Sequence, residues 1–222
     1  MDMIANFIQS LIIVPLTLLP IINPLSTAPV FMTTAGESPW VAQRLAWQVA
    51  FNGWVVLVAS MLIGTYVLAL FGISLPIVRI GGGLLVAATG WRMLNTQAAD
   101  EVTTAVAEQS MALSDEEIVR RSFFPLTFPL TTGPGTIAAS IALGAKLPQT
   151  PALYLLGAFV AILGATLTMG VIYLIYRNAG ALLRRMGPVG TIVMMRLVAF
   201  ILLCIGIEII WTGWAELNQL QP

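Results

Sequence analysis

The sequence predicts an all-α integral membrane protein: six transmembrane spans arranged as two inverted three-span repeats, with broken helices at spans one and four. Three observations predict it. The composition is apolar and poor in charge, long stretches carry no charge at all, and a proline–hydroxyl motif recurs 105 residues downstream. Of 222 residues, 58% are hydrophobic and 9% charged. An average soluble domain carries roughly a quarter charged residues, so this chain has too little charge to cover a water-facing surface. Ten Lys+Arg balance ten Asp+Glu, which gives a basic nucleic-acid patch no support. The absence of histidine removes Ser–His catalysis, His-ligated zinc and His proton relays together. Neither catalytic residues, a metal site nor a cofactor is expected. Cys204 is the one cysteine; it has no disulfide partner in the chain and is expected to pack in its apolar run.

The spans follow from the charge-free runs. Residues 3–36, 45–78, 122–145 and 147–176 contain no Asp, Glu, Lys or Arg. A crossing needs about 20 apolar residues for roughly 30 Å of hydrocarbon. A straight helix over 3–36 would be about 50 Å long at 1.5 Å per residue, so span one, about 4–34, must break or re-enter. The next long stretch divides at Phe71-Gly72 into spans two (45–70) and three (74–94). Spans four, five and six follow at about 119–145, 152–176 and 190–214. Residues 1–94 then form the first repeat, 95–118 an acidic linker, and 119–222 the second repeat. Met1-Asp2-Met3 lacks the positive start of a secretory signal, and no small-residue cleavage site follows, so span one is expected to persist.

Basic residues set the orientation. Six crossings collect Arg44, Arg92, Arg120, Arg121, Arg177, Arg184 and Arg185 on one side, against Lys146 alone in the opposite loops. The positive-inside rule puts the Arg-rich loops in the cytoplasm and both termini in the periplasm. Trp211 and Trp214 then fall at an outer aromatic belt. The loop 95–121 is acidic, and its Ser114-Asp115-Glu116-Glu117 end is a capping-box pattern that starts the helix leading into span four.

The repeat carries the chemistry. Pro24-Leu25-Ser26-Thr27-Ala28-Pro29 returns as Pro129-Leu130-Thr131-Thr132-Gly133-Pro134, and an odd number of spans per repeat inverts the second copy. Two prolines five apart interrupt a regular helix, because each removes a donor and clashes with the preceding turn. The freed backbone groups need protein or cavity water at membrane depth. Pro29 and Pro134 are expected to open new half-helices, whose N-termini carry free N–H groups and partial positive charge. Two such ends meeting near the midplane would make a carboxylate-sized site. The helix-break residues are Pro24, Pro29, Pro129 and Pro134, and the candidate binding residues are Asn23, Ser26, Thr27, Thr131, Thr132, Gly133 and Thr136. Asn23 has no counterpart, since Phe128 stands at its place in the second copy. The plainer reading is a pair of proline kinks filled by hydroxyls.

Three charges lie more than two residues inside the spans' ends. Arg79 and Arg196 sit six and seven residues inside spans three and six, on opposite membrane faces. Each holds substrate or a gate, or else donates to carbonyls at a neighbouring break or snorkels to the interface. Glu208 is the one carboxylate inside a span and so the proton-coupling candidate, with interfacial solvation as the alternative. Gly81-Gly82-Gly83 reads as a close-packing patch.

Four runs in this order resemble the MarC family of inner-membrane proteins: 23–29 (Asn-Pro-Leu-Ser-Thr-Ala-Pro), 71–83 (Phe-Gly-Ile-Ser-Leu-Pro-Ile-Val-Arg-Ile-Gly-Gly-Gly), 129–138 (Pro-Leu-Thr-Thr-Gly-Pro-Gly-Thr-Ile-Ala) and the stretch from Arg196 to Glu208. The resemblance implies a secondary transporter, exporter or exchanger, for small neutral amino acids such as glycine or alanine, multi-pass in the bacterial inner membrane. Its partners would be that substrate and the lipid bilayer, with a homo-oligomer left open. A small-solute channel and a non-transporting assembly protein stand as alternatives. Against the channel, the second motif lacks the asparagine of a paired Asn-Pro plan.

Overall fold

The computed structural model describes residues 2–36, 38–95, 115–148 and 150–218. Every regular element among them is helical: α1 (Asp2–Ile22), α2 (Pro24–Ala35), α3 (Pro39–Leu70), α4 (Leu75–Asn95), α5 (Asp115–Arg121), a wide-wound segment (Ser122–Thr131), α6 (Pro134–Gly144), α7 (Pro151–Arg177) and α8 (Ala179–Leu217). Four helices are long and apolar enough to cross a membrane: Pro39–Leu70, Leu75–Asn95, Leu153–Arg177 and Val189–Leu217. A fifth candidate is the bent pair Leu11–Ile22 and Pro24–Ala35, which turns by 58° at its break. Span one is thus broken, as its length requires. The Phe71-Gly72 division also appears, with Gly72 at φ 67° supplying a backbone conformation that glycine adopts without steric cost.

The region expected as span four is not one helix. Phe124 (φ −121°, ψ 122°) and Phe128 (φ −117°, ψ 127°) are extended, as residues preceding proline are driven to be. The peptide bonds to Pro125 and Pro129 are cis. Beyond them α6 has 11 residues, about 17 Å of helix, too short alone for a crossing. Helix α5 begins at Asp115, as the acidic start predicts, while Ser114 and the rest of the linker from 96 lie outside the described residues. The expected loop 177–189 is also largely helical. It forms the start of α8, which breaks at Gly187 (φ 68°) before the apolar run.

Close helix approach depends on glycine. On α4 Gly83 and Gly90, and on α8 Gly206 and Gly213, are each seven residues apart and face the partner backbone. A Cβ at Gly90 would lie 2.6 Å from Leu203 N, and one at Gly213 2.7 Å from Pro76 O. Those contacts run in opposite chain directions, so α4 and α8 are antiparallel. Gly82 faces Ala138 of α6, while Gly81 has open space, so the patch packs through two of its three glycines. Helices α3 and α7 are also antiparallel, joined by Trp47–Tyr173 edge-to-face at 6.0 Å and Trp54 Nε1 donating to Thr166 Oγ1 at 3.0 Å. From Thr132 to Gly144 the chain runs along α3 in the same direction, with Thr132 beside Gly53 and Gly144 against Met61, so α6 is parallel to α3. The α1–α2 pair runs parallel to α7, with Gly164 against Val14 and Phe31 stacked on Tyr176 at 4.7 Å.

The core lies among α1, α2, α3 and α7, where Leu18, Phe31, Leu45, Val49, Leu57, Ala165 and Ile172 are buried. Outward-facing positions are apolar too. Leu16, Phe51, Tyr66, Leu84, Phe159, Val193 and Phe200 are exposed, the surface of a protein solvated by hydrocarbon. Cys204, expected to pack, is exposed.

Candidate functional site

The first break is built by Asn23. It holds a left-handed conformation (φ 50°, ψ 60°), which asparagine tolerates better than most residues, and its Oδ1 accepts from Ser26 N at 3.3 Å. Pro24 follows at the first helical position, where its missing N–H costs nothing. The new half-helix therefore starts at Pro24. Pro29, expected to open it, lies inside α2. The second break differs. Pro134 does open α6, but its cap is Gly133, and no side chain caps the first turn.

In the wide-wound segment hydroxyls take up carbonyls five residues back. Thr127 donates to Ser122 O (2.7 Å), Thr131 to Leu126 O (2.7 Å) and Thr132 to Thr127 O (3.0 Å). Ser26 likewise donates to Asn23 O at 3.0 Å. The hydroxyls at the breaks thus spend their protons on nearby backbone carbonyls, so none of these donors is left open at membrane depth.

A residue the sequence did not single out joins the two motifs. Tyr176, 1% exposed at the end of α7, places its hydroxyl 2.7 Å from Thr27 Oγ1 and 3.0 Å from Thr131 Oγ1. The proton count assigns the donors. Thr131 spends its proton on Leu126 O, so it accepts from Tyr176; Tyr176 then accepts from Thr27, which has only long alternatives at Asn23 O (3.4 Å) and Pro24 O (3.3 Å). The result is a relay from Thr27 through Tyr176 and Thr131 to a carbonyl, its members polarising one another. Thr27 and Thr131 are separated by 149 and 45 residues from Tyr176, and no local pattern announces such a contact.

The remaining candidates divide. Thr132 and Thr136 are buried, and Thr132 lies beside Gly53 of α3. Arg79 is buried on α4 and paired with Glu216 near the end of α8, a carboxylate the sequence reading passed over. Glu208 is exposed, and with Arg79, Lys146 and Glu216 it lines a cavity of about 240 Å³. Arg196 is exposed elsewhere on α8. The cavity and Tyr176 lie toward opposite ends of the bundle. Lys146 stands just before α7, and Tyr176 is next to its last residue.

A family model described as MarC family integral membrane protein matches residues 8–217. The chain belongs to the MarC family. The UPF0056 inner membrane protein MarC of Salmonella typhimurium (strain LT2) is 31% identical over 212 residues, covering 90% of this chain and 91% of that protein. The protein of the same name from Escherichia coli O6:H1 is 32% identical over 206 residues, with the same coverage. No solved structure matches. As a MarC-family member the chain is a multi-pass helical protein of the inner membrane.

Proposed function

We propose that the chain is a secondary transporter, an exporter or exchanger, that moves small neutral amino acids such as glycine or alanine across the inner membrane by alternating access. Six crossings form its frame, as two inverted three-span repeats, with both termini periplasmic. The observation that carries this reading is one-sidedness. A cavity opens toward the Lys146 end, while at the other end the Tyr176 hydroxyl ties the two break motifs together. A carrier caught with one gate open and the other shut would have this form.

Packing supports the inverted repeat. The α1–α2 pair runs parallel to α7 as α6 runs parallel to α3, and α3–α7 and α4–α8 are each antiparallel, the relations a two-fold axis in the membrane plane requires. The uncapped first turn of α6 suits a substrate carboxylate next to Thr132 and Thr136. The small side chains around it leave room for little beyond a methyl group. In the present conformation those hydroxyls are buried, so substrate reaches them as the Tyr176 bridge opens.

The test is counterflow of labelled alanine into proteoliposomes loaded with unlabelled glycine, alanine, serine, leucine or nothing. Stimulation by the small neutral amino acids, lost in Thr132→Val, is expected. Flux without saturation or trans-stimulation would replace the carrier with a channel, and no flux of any solute would leave an assembly role.

A further inference from the structure

We infer that the cavity at the Lys146 end is a docking station for a zwitterion, gated by the Arg79–Glu216 ion pair. The inference rests on the transporter reading and names the site at which substrate is first held. Four helices build it: α4 contributes Arg79, and the other three contribute single faces with residues at intervals of four, which stack along one side of a helix. Helix α6 and its end contribute Ala138, Ala142 and Lys146; α8 contributes Glu208, Thr212 and Glu216; α1 contributes Ile13 and Thr17. The space is therefore a groove running along α6. From Lys146 to Ala138 it extends about 12 Å at 1.5 Å per residue, and it stops one turn short of Pro134, where the second break begins. It leads from the end of the bundle toward the motif hydroxyls.

Its charges fit a dipolar solute and neither an anion nor a cation alone. Two cations, Arg79 and Lys146, and two carboxylates, Glu208 and Glu216, line it among apolar side chains and two threonines. Glu208 lies two turns deeper along α8 than Glu216, about 12 Å. Arg79 is the buried member of its pair, at 9% side-chain exposure against 41% for Glu216. A buried guanidinium that loses its carboxylate must find another, and the carboxylate of an incoming amino acid is chemically the same group. Exchange of Glu216 for substrate therefore leaves Arg79 paired throughout, while the substrate ammonium, at the other end of the dipole, points down the groove toward the charge of Glu208, which attracts it through space. About 240 Å³ corresponds to roughly eight waters at about 30 Å³ each, enough for alanine with a few waters, and Thr17 and Thr212 supply hydroxyls to the walls.

Two measurements on the purified full-length protein decide the matter. In a Cys204→Ser background, Ala142→Cys is labelled in detergent by a charged thiosulfonate. Alanine and glycine should slow labelling by about tenfold, and acetate or ethylamine alone should not. Thr17→Cys, on the facing wall, repeats the measurement should Ala142→Cys not fold. In proteoliposomes, Glu208→Gln and Arg79→Lys should each raise the half-saturating alanine concentration in counterflow about tenfold, with the maximal rate within about twofold. Transport by the parent protein with no protection by alanine and an unchanged half-saturation in both variants would overturn the docking station and leave the carrier standing. Protection without transport would keep the station and remove the carrier. Absence of both would overturn both.

Discussion

Tyr176→Phe removes one oxygen from the join between the two breaks and leaves the ring, so its stack on Phe31 at 4.7 Å is kept. Two interhelical hydrogen bonds are lost, at 2.7 and 3.0 Å. Such bonds average about 0.6 kcal/mol in membrane proteins, with a maximum near 1.7, so the pair has a ceiling of about 3.4 kcal/mol. The true cost falls lower, because no donor is orphaned. Thr131 keeps Leu126 O at 2.7 Å, and Thr27 falls back on Asn23 O and Pro24 O at 3.4 and 3.3 Å. We expect about 1–2 kcal/mol, which for a chain of this size lowers the unfolding midpoint by about 2–8 °C. If the bridge holds that end shut, 1.4 kcal/mol multiplies the open population about tenfold, and amide exchange across 126–132 should accelerate accordingly. Thermal unfolding followed by tryptophan fluorescence in lipid, with Thr27→Val, Thr131→Val and the doubles with Tyr176→Phe, isolates the coupling. Double variants additive within about 0.3–0.5 kcal/mol, with unchanged exchange across 126–132, would refute the bridge.

Three further outcomes follow from the same geometry. Asn23→Ala loses both the cap and the residue type that holds φ 50° and should lower stability by about 1–2 kcal/mol, whereas Asn23→Gly, which keeps the backbone conformation, should cost a few tenths; the comparison of their unfolding midpoints checks it. Gly144→Val drives a side chain into the Met61 backbone, so α6 and α3 must separate, at about 1–3 kcal/mol or more, while Gly81→Ala, which meets open space, should be neutral in the same assay. Breaking the Arg44–Asp115 pair, 3.0 Å apart with both side chains exposed, by Asp115→Asn should shift the midpoint by less than the measurement error.

What could be read from the sequence was local. The charge-free runs located the long helices, the over-long first run demanded a break, and Phe71-Gly72 marked a turn, because each depends on residues adjacent in the chain. The glycines at 82 and 83 were legible as packing for the same reason: a residue without a side chain in a lipid-facing helix has few other uses. Tyr176 and Glu216 were not legible. Each acts through a partner more than 40 residues away, and each looks ordinary where it stands, Tyr176 as an aromatic beside Arg177 and Glu216 as a polar residue at a helix end. The two intramembrane arginines were read as a pair, yet among the described residues Arg79 has a carboxylate partner and Arg196 has none.

The two copies of the motif show how one position redirects a fold. Their hydroxyls and prolines match, and the offset of 105 holds from Pro24 to Pro134, but Asn23 and Phe128 do not match. Asparagine can turn left-handed and cap with its own side chain, so the first copy bends by 58° within a single residue, and its second proline is absorbed into α2. Phenylalanine can do neither. Its φ stays at −117°, the chain runs on wide-wound, and the new helix waits for Gly133 and Pro134. Along that longer path Thr127, Thr131 and Thr132 donate their hydroxyls to carbonyls five residues back, and Thr131 is thereby positioned to accept from Tyr176. The asymmetry between the breaks is therefore the condition for their join. A Phe128→Asn variant, which offers the second copy the same short turn, should shorten the wide-wound segment, withdraw Thr131 from Tyr176 and reproduce the Tyr176→Phe loss without touching the tyrosine.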